Sequence, residues 1–457
     1  MIAAARLRLA ARWLAPALRA SAAAAVVAGA LLLLALPGPA RAAEIREVKS
    51  PGGITAWLVE EKSLPIIAIR FAFDGGAAQE AAGKEGTAGL LAAMLDQGAG
   101  DLSAAAFQTQ AEKLAVRISF DSDRDTFFGN FETLTKNLAK ASELLKLAVT
   151  APRLEQSTLE RTRAQLAARA SFEAGDANKV ANAQWMAQSF PGHPYARAIA
   201  GTPDSLKAIT REDLDGFRKR IMARRTLRVA AVGDIDGPTL GRVLDEVFGG
   251  LPAEPRLTPV ADVAPKAAPK PTVVNLEGPQ SVAIFGRRGI ERSHPDYYPG
   301  LVLSQLVGGG SSDARLVREV REKRGLSYWI YTLLYNFKHS NMLIGGFASP
   351  NKDVATSLEL VRAEFRELAE KGPTDEEVEA AKSYLIGSFV LSLDSNAKIA
   401  EQMLRAQLQG LGRDFVNERK ASLAKVTRAD VARVARSLLT ADELSVAIAG
   451  QPDGIGR

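Results

Sequence analysis

The sequence contains no cysteine and only three histidines among its 457 residues. Without cysteine the chain can form no disulfide, offers no thiol nucleophile and cannot build a cysteine-ligated zinc or iron–sulfur centre. His193, His294 and His339 lie far apart, and no two have the i, i+3 or i, i+4 spacing of a helical metal site. A metal enzyme of the usual histidine-rich kind is therefore not expected.

Residues 1–42 have the pattern of a secretory signal peptide. Four arginines precede an apolar run from Ala20 to Leu36, and Pro37-Gly38-Pro39 interrupts that run. Ala40-Arg41-Ala42 then fits a small-x-small cleavage site. The run is shorter than the roughly 20 residues of a membrane span. We therefore expect cleavage, a periplasmic mature protein and no stable membrane insertion.

The signal peptide also accounts for most of the positive charge. The chain has 58 basic and 52 acidic residues, a formal charge of +6. The signal peptide contains five arginines and no acidic residue, so its removal leaves a charge of about +1. No basic stripe with interleaved aromatic residues follows, and we do not expect a nucleic-acid partner.

A proline-rich segment at 252–271 divides the mature chain. Its six prolines predict a semi-rigid linker without helix or strand. The predicted domains are therefore an N-terminal one over 43–251 and a C-terminal one over 272–457.

The two parts repeat each other at a constant offset of 217 residues. Ser205-Leu206 and Thr210 correspond to Ser422-Leu423 and Thr427, and further on Gly233 corresponds to Gly450. In each copy a threonine suited to cap a helix precedes an amphipathic stretch and a short apolar strand that ends in glycine. This register indicates an internal duplication.

Strand and helix patterns alternate without a regular β-α-β order. Apolar residues at 67, 69, 71 and 73 predict a half-buried strand. Thr374 and Glu377 form a capping box at the start of a helix that buries Val378, Ala381 and Leu385. Long helices are predicted at 137–149, 155–173, 353–371 and 374–392. The fold class is therefore α+β, with mostly antiparallel sheets.

The segment from Gly86 to Gly98 resembles the zinc helix of the pitrilysin/insulinase-type metallopeptidases. That motif is Gly-x-x-His-x-x-Glu-His-Met followed shortly by glycine, and its two histidines bind zinc beside a glutamate that activates water. This chain keeps the frame at Gly86, Leu91, Met94 and Gly98. An ordinary alanine-rich packing helix is the alternative. The resemblance, however, continues on both sides of it, with Gly75-Gly76 and Glu80 before it and the run from Trp185 to Leu206 after it.

The resemblance implies that the zinc-binding chemistry is lost. The two histidine positions are Gly89 and Ala93, the glutamate position is Ala92, and the third ligand of the family aligns with Ala170. None of these residues has a side chain that can bind a metal, so we expect no metal and no cofactor on this chain.

A second motif follows the linker. The run 308–313, Gly-Gly-Gly-Ser-Ser-Asp, lacks the lysine of a phosphate-binding loop. It predicts a helix end, a tight turn and a Ser/Asp cap on the next helix. That helix should end at Gly325, and Leu326 to Tyr335 should form a strand rich in aromatic residues.

This second motif resembles the C-terminal-domain signature of the same family. There an arginine, and a tyrosine seven positions later, reach the substrate at the zinc site; here they are Arg321 and Tyr328. A guanidinium can bind a peptide carbonyl or carboxylate, and a tyrosine hydroxyl can donate to a developing oxyanion. Alternatively, Arg321 is a solvated helix charge and Tyr328 packs on a strand.

The resemblance implies a fold of two homologous α/β-roll domains, each an antiparallel sheet backed by helices, as in one half of a metallopeptidase clamshell. It also implies a periplasmic, non-catalytic subunit of a heterodimeric zinc metalloendopeptidase. Such a subunit would bind peptides, extended along a sheet edge, and supply Arg321 and Tyr328 to a zinc-bearing homologue. The alternatives are an inactive scaffold or peptide-binding protein, and a protease with a zinc site displaced to the three histidines.

Overall fold

The computed structural model describes residues 44–268 and 270–455. The predicted signal peptide at 1–42 lies outside these residues. None of the helices in the described part is long and apolar enough to cross a membrane.

The first sheet has six strands in the order β1-β2-β6-β3-β5-β4. β2 and β6 run parallel, while the other neighbouring strands are antiparallel. The strands are β1 (Arg46–Lys49), β2 (Thr55–Glu60), β3 (Ile66–Asp74), β4 (Arg117–Ser122), β5 (Thr126–Leu134) and β6 (Arg228–Gly233).

The second sheet has five strands in the order β7-β11-β8-β10-β9. β7 and β11 run parallel and the other neighbours are antiparallel, as in the first sheet. The strands are β7 (Thr272–Asn275), β8 (Gln280–Arg288), β9 (Ile330–Phe337), β10 (Ser340–Pro350) and β11 (Ser445–Gly450).

Helices back both sheets. In the N-terminal part they are α1 (Thr87–Met94), α2 (Ala104–Lys113), α3 (Leu138–Thr150), α4 (Gln156–Glu173), α5 (Ala177–Ser189), α6 (Pro203–Ala208), α7 (Arg211–Ile221) and α8 (Gly237–Phe248). In the C-terminal part they are α9 (Tyr297–Gly308), α10 (Val354–Lys371), α11 (Asp375–Leu391), α12 (Asn396–Leu408), α13 (Phe415–Lys425) and α14 (Arg428–Leu438). The predicted α+β fold of two homologous units is confirmed.

The repeated helix–strand block has the same local structure in both copies. Thr210 caps α7 and Thr427 caps α14, each through a capping box. Gly233 and Gly450 end β6 and β11 with φ of +140° and +142°. A Cβ atom at Gly233 would lie 2.1 Å from the carbonyl oxygen of Ile66, so only glycine fits there. The predicted internal duplication is confirmed.

Each sheet is covered on one face by a helix from the other part of the chain. α5 packs on β8 and β11, and α12 packs on β3 and β6. The indole Nε1 of Trp185 on α5 donates to the Ser445 carbonyl at 3.0 Å, and Gln407 on α12 donates to the Val229 carbonyl at 2.9 Å. The prediction of a half-buried β3 is therefore wrong. From Ile67 to Phe73 that strand is buried on both faces, because α12 covers the face that would otherwise meet water.

The described residues of the proline-rich segment contain neither helix nor strand and lie along the body of the protein. The side-chain amide of Gln79 bonds to both backbone groups of Thr258, at 2.7 and 2.9 Å. The amide of Val263 donates to the His339 carbonyl at 2.9 Å. The domain boundaries at 251 and 272 stay a prediction.

A buried tyrosine joins the turn between β9 and β10 to the first sheet. The Tyr195 hydroxyl donates to the Asp125 carboxylate at 2.7 Å and accepts from the backbone amide of His339 at 3.0 Å. Asp125 also accepts from the amide of Lys338 at 3.0 Å. Because Tyr195 is fully buried, water cannot replace these bonds without rearrangement.

We expect Tyr195→Phe to lower the free energy of unfolding by about 1–3 kcal/mol, since it leaves buried polar groups without a partner. Chemical denaturation of both proteins measures the difference. Tyr384→Phe, at an exposed tyrosine on α11, is the control and should change little. Equal effects of the two substitutions would contradict a structural role for the Tyr195 hydroxyl.

Candidate functional site

The helix that resembles a zinc helix is a packing helix in this chain. Gly86 precedes α1 with φ of +94°, and Leu90, Leu91 and Met94 are fully buried. Ala92 is also buried, and Ala93 is half-buried. The apolar residues of the motif, Leu91 and Met94, therefore anchor α1 in the core.

A buried carboxylate holds the beginning of α1. Glu80 accepts hydrogen bonds from the backbone amides of Gly86 at 3.0 Å and Ala88 at 2.7 Å. Burial raises the pKa of Glu80 to about 7, although the two amide bonds act in the opposite direction. Arg197 in turn donates to the Glu80 carbonyl at 2.8 Å. Sequence reasoning identified Glu80 only as part of the family frame, because nothing in the local sequence shows which amides it meets.

The positions that the resemblance assigns to zinc ligands do not fit a metal. α4 packs against α1, and Ala170 on α4 is half-buried. Gly89, Ala92, Ala93 and Ala170 supply no nitrogen, oxygen or sulfur from a side chain, and zinc needs such donors. Across residues 44–268 and 270–455, no three His, Cys, Asp or Glu side chains come together in a way that could hold a metal ion.

The three histidines do not converge either. His193 contacts the Ala261 carbonyl at 3.0 Å and accepts from the amide of Tyr195 at 3.1 Å. His339 lies 2.9 Å from the Asp262 carboxylate. His294 accepts from the amide of Asp296 in another part of the fold. His193 and His339 contact the segment before β7, and His294 lies elsewhere. This arrangement gives no support to a zinc site displaced to the three histidines.

The second motif forms a π-helical segment, Val317–Glu322, that carries Arg321. Segments of this kind often occur at functional sites. Two details of the prediction are wrong. No side chain of the Gly/Ser run caps the helix, because helical structure begins at Arg315 and Ala314, which has no capping group, stands at the cap position. The strand begins at Ile330 rather than Leu326, since the chain turns after Gly325, where φ is +62°.

The structure brings Arg321 and Tyr328 together at the surface. The guanidinium carbon of Arg321 lies 5.6 Å from the centre of the Tyr328 ring, within the range of a cation–π contact. Tyr328 is 82% exposed. Arg321 lines a depression of about 540 Å³, together with Ser312, Glu322 and Trp329. A guanidinium and a phenol ring therefore lie next to each other at the surface, where an external molecule could reach both.

Ion pairs anchor the segment that carries Arg321. The buried Arg315 binds Glu377 of α11 through two bonds, at 2.7 and 2.9 Å. Glu319 binds Lys323 at 2.6 Å and Arg324 at 2.8 Å, and these bonds lower its pKa to about 2. Sequence reasoning missed the Arg315 pair because 62 residues separate the partners and no local pattern joins them.

Two family models match this chain in succession. Residues 57–203 match "Insulinase (Peptidase family M16)", and residues 208–385 match "Peptidase M16 inactive domain". The chain belongs to peptidase family M16. The resemblance to pitrilysin/insulinase-type metallopeptidases is thereby confirmed.

Relatives in family M16 carry both peptidase and non-peptidase names. An uncharacterized zinc protease of Streptomyces coelicolor is 31% identical over 55% of this chain and 56% of its own length, so the match spans about half of that relative. A "non-peptidase homolog" of Helicobacter pylori is 26% identical over 72% of this chain and 76% of its own length. A probable mitochondrial-processing peptidase subunit beta of Schizosaccharomyces pombe is 25% identical over 84% and 86%.

Solved structures share the fold over almost the whole chain. A peptidase M16 inactive domain from Pseudomonas fluorescens has a TM-score of 0.84 and 25% identity, and the match covers 90% of this chain and 99% of that one. A chain of complex III from Candida albicans has a TM-score of 0.75 at 15% identity, over 90% and 97%. The second likeness concerns the fold alone.

We expect Glu80→Gln to flatten the dependence of stability on pH. With a folded-state pKa of about 7 against an ordinary 4.5, the folded protein retains a proton that the unfolded chain releases between these values. The stability from Glu80 is therefore present below about pH 4.5 and falls as pH rises towards 7, by about 3 kcal/mol.

Unfolding free energies at several pH values across this window test the expectation. As pH rises from about 4.5 to 7, the unfolding free energy of the wild type should fall relative to that of Glu80→Gln. Glu370→Gln, at an exposed site on α10, should follow the wild type. Parallel curves for wild type and Glu80→Gln would contradict the raised pKa of Glu80.

Proposed function

We propose that this chain is the non-catalytic subunit of a periplasmic, heterodimeric zinc metalloendopeptidase of family M16. It binds peptide and supplies Arg321 and Tyr328 to the zinc site of a homologous partner. Zinc belongs to the partner, and this chain binds no cofactor.

The observation that carries the proposal is the contrast between the two motifs. Gly89, Ala92 and Ala93 give α1 no group that could act on a peptide, whereas Arg321 and Tyr328 lie together, exposed, beside a depression. An isolated surface pair contributes little to folding. Their arrangement suits contact with a molecule outside the chain.

Each residue of the pair has a distinct chemical task. The Arg321 guanidinium can donate to a peptide carbonyl or to a carboxylate through several N–H groups in a fixed plane. The Tyr328 hydroxyl can donate to an oxygen on which negative charge develops. Because Arg321 sits on a segment anchored by Arg315 and Glu377, the backbone that carries its guanidinium is held in place before the peptide arrives.

The relatives support a subunit role. One is named a non-peptidase homolog and another a peptidase subunit. The periplasmic location rests on the signal-peptide pattern at 1–42, and the mature protein is expected to start at Ala43. A zinc ion in the partner would polarise the scissile carbonyl and activate a water molecule.

The purified mature chain should contain no stoichiometric zinc and should not cleave peptides, because α1 and α4 offer no ligands. Metal analysis after dialysis and a peptide-cleavage assay with and without chelator measure both properties. One tightly bound zinc per chain, or robust cleavage abolished by chelator, would refute the non-catalytic assignment.

In a mixture with a zinc-bearing homologue, Arg321→Ala and Tyr328→Phe should each lower kcat of peptide cleavage by about a hundredfold, as loss of a transition-state donor does. Steady-state kinetics of the mixture measure the effect. Arg366→Ala on α10 and Tyr384→Phe on α11 remove the same groups from exposed positions elsewhere.

These two control variants should behave as wild type. If Arg321→Ala and Tyr328→Phe also leave the activity of the mixture unchanged, the proposal that these residues act at the partner's zinc site is wrong. An inactive scaffold would then be the better description.

A further inference from the structure

Two arginines of the C-terminal part lie against aromatic rings and have no acidic partner. Arg292, between β8 and α9, has its guanidinium carbon 4.2 Å from the centre of the Tyr297 ring and 5.2 Å from that of Tyr298. Arg419 on α13 lies 4.9 Å from the centre of the Phe389 ring on α11. Neither arginine forms an ion pair with any residue that the structure describes.

Most hydrogen-bonding groups of the two guanidiniums have no protein acceptor. Arg292 makes one long contact, from Nη2 to the Tyr298 hydroxyl at 3.5 Å, and its Nε is buried without a partner. Arg419 donates from Nη2 to the Leu385 carbonyl at 3.3 Å. A guanidinium has several N–H donors and no acceptor. Because a buried donor without a partner lowers stability, these groups favour an acceptor supplied from outside the chain.

The two positive charges also act on each other. Burial lowers the pKa of Arg419, and the charge of Arg292 lowers it further. Tyr297 and Tyr298 act in the opposite direction, but no carboxylate contributes. Two like charges that are held together in a partly buried place, without a counter-ion, destabilise each other. An anion between them would remove this repulsion.

The acidic side chains next to these residues in the sequence have other partners. Asp296 binds Arg433 at 2.7 Å, and Glu291 accepts from the Ser293 hydroxyl at 2.8 Å. The cluster therefore offers guanidinium and phenol donors without a negative charge of its own. A counter-ion has to come from solution or from another molecule.

We propose that Arg292 and Arg419 bind a phosphate-type oxyanion, with the hydroxyl groups of Tyr297 and Tyr298 as further donors. One divalent anion neutralises both guanidiniums, and its several oxygens can accept from planar N–H groups on either side. A free phosphate ion and the phosphate group of a lipid present the same oxygens. None of the four residues lines the depression beside Arg321, so this inference goes beyond the proposed function.

Titration calorimetry of the purified mature chain with inorganic phosphate tests the inference. The titration is run at about pH 8, where phosphate is mostly divalent, and at constant ionic strength. We expect saturable binding of one phosphate per chain. Arg292→Gln and Arg419→Gln should each weaken binding about tenfold, because each removes a charge-assisted donor.

Arg436→Gln is the matched control, since it removes an exposed arginine on α14 that also lacks an ion pair, and it should bind phosphate as wild type. Tyr298→Phe keeps the ring beside Arg292 and removes only the hydroxyl. It should weaken binding about threefold, as loss of one neutral hydrogen bond does. This variant keeps the inference testable if either arginine variant fails to fold.

Vesicle sedimentation separates the two sources of phosphate. The vesicles contain phosphatidylcholine with about one-fifth phosphatidic acid. If the wild type stays in the supernatant while binding inorganic phosphate, the ligand is a free ion. If it sediments with the vesicles and Arg419→Gln does not, the ligand is a lipid phosphate.

Two results would overturn the inference. One is no saturable binding of inorganic phosphate at millimolar concentration, together with no vesicle binding that depends on the two arginines. The other is equal phosphate binding by the wild type, Arg292→Gln and Arg419→Gln. In either case the two arginines only pack on their aromatic neighbours. The assays contain neither peptide nor partner, so the failure of the composite zinc site would leave them unaffected.

Discussion

The exchange of α5 and α12 between the two sheets is the interaction on which the rest of the structure depends. Each helix covers a sheet built by the other part of the chain, and Trp185 and Gln407 bond to backbone carbonyls there. An apolar sheet face must be buried against another layer. Without the other part of the chain, neither sheet would have the helix that covers this face. The buried bonds of Tyr195 then fix the turn between β9 and β10 to the first sheet.

The packing of α1 does not depend on the positions that the resemblance assigns to zinc ligands. The residues that pack, Leu90, Leu91 and Met94, are separate from the residues that would bind zinc. Gly89 and Ala93 are only half-buried and lie outside this set of fully buried residues. A Cβ atom at Gly89 would meet nothing within 4 Å, so the helix itself does not require glycine there. The packing residues of α1 can therefore be kept whatever side chains occupy positions 89 and 93.

Arg321 and Tyr328 lie just before the edge strand of the second sheet. They are neighbours because the π-helical segment leads through a turn into β9. In the first copy α1 is the counterpart of α9, since α1 contacts β4 and α9 contacts β9, and α2 is the element that precedes β4. The two copies therefore differ in chemistry at this place, because residues 104–116 contain neither arginine nor tyrosine.

Local patterns in the sequence determined the elements, the duplication and the family. The capping box at Thr374 and the helical periodicity put the predicted helices within one residue of α3, α4, α10 and α11, because these signals act within one or two turns. Tertiary structure alone decided that β3 is buried on both faces, that Arg315 meets Glu377, and that Glu80 holds α1. It also decided that Arg321 and Tyr328 touch, since their helix ends between them at Gly325 and the direction of the following turn depends on packing that no local pattern encodes.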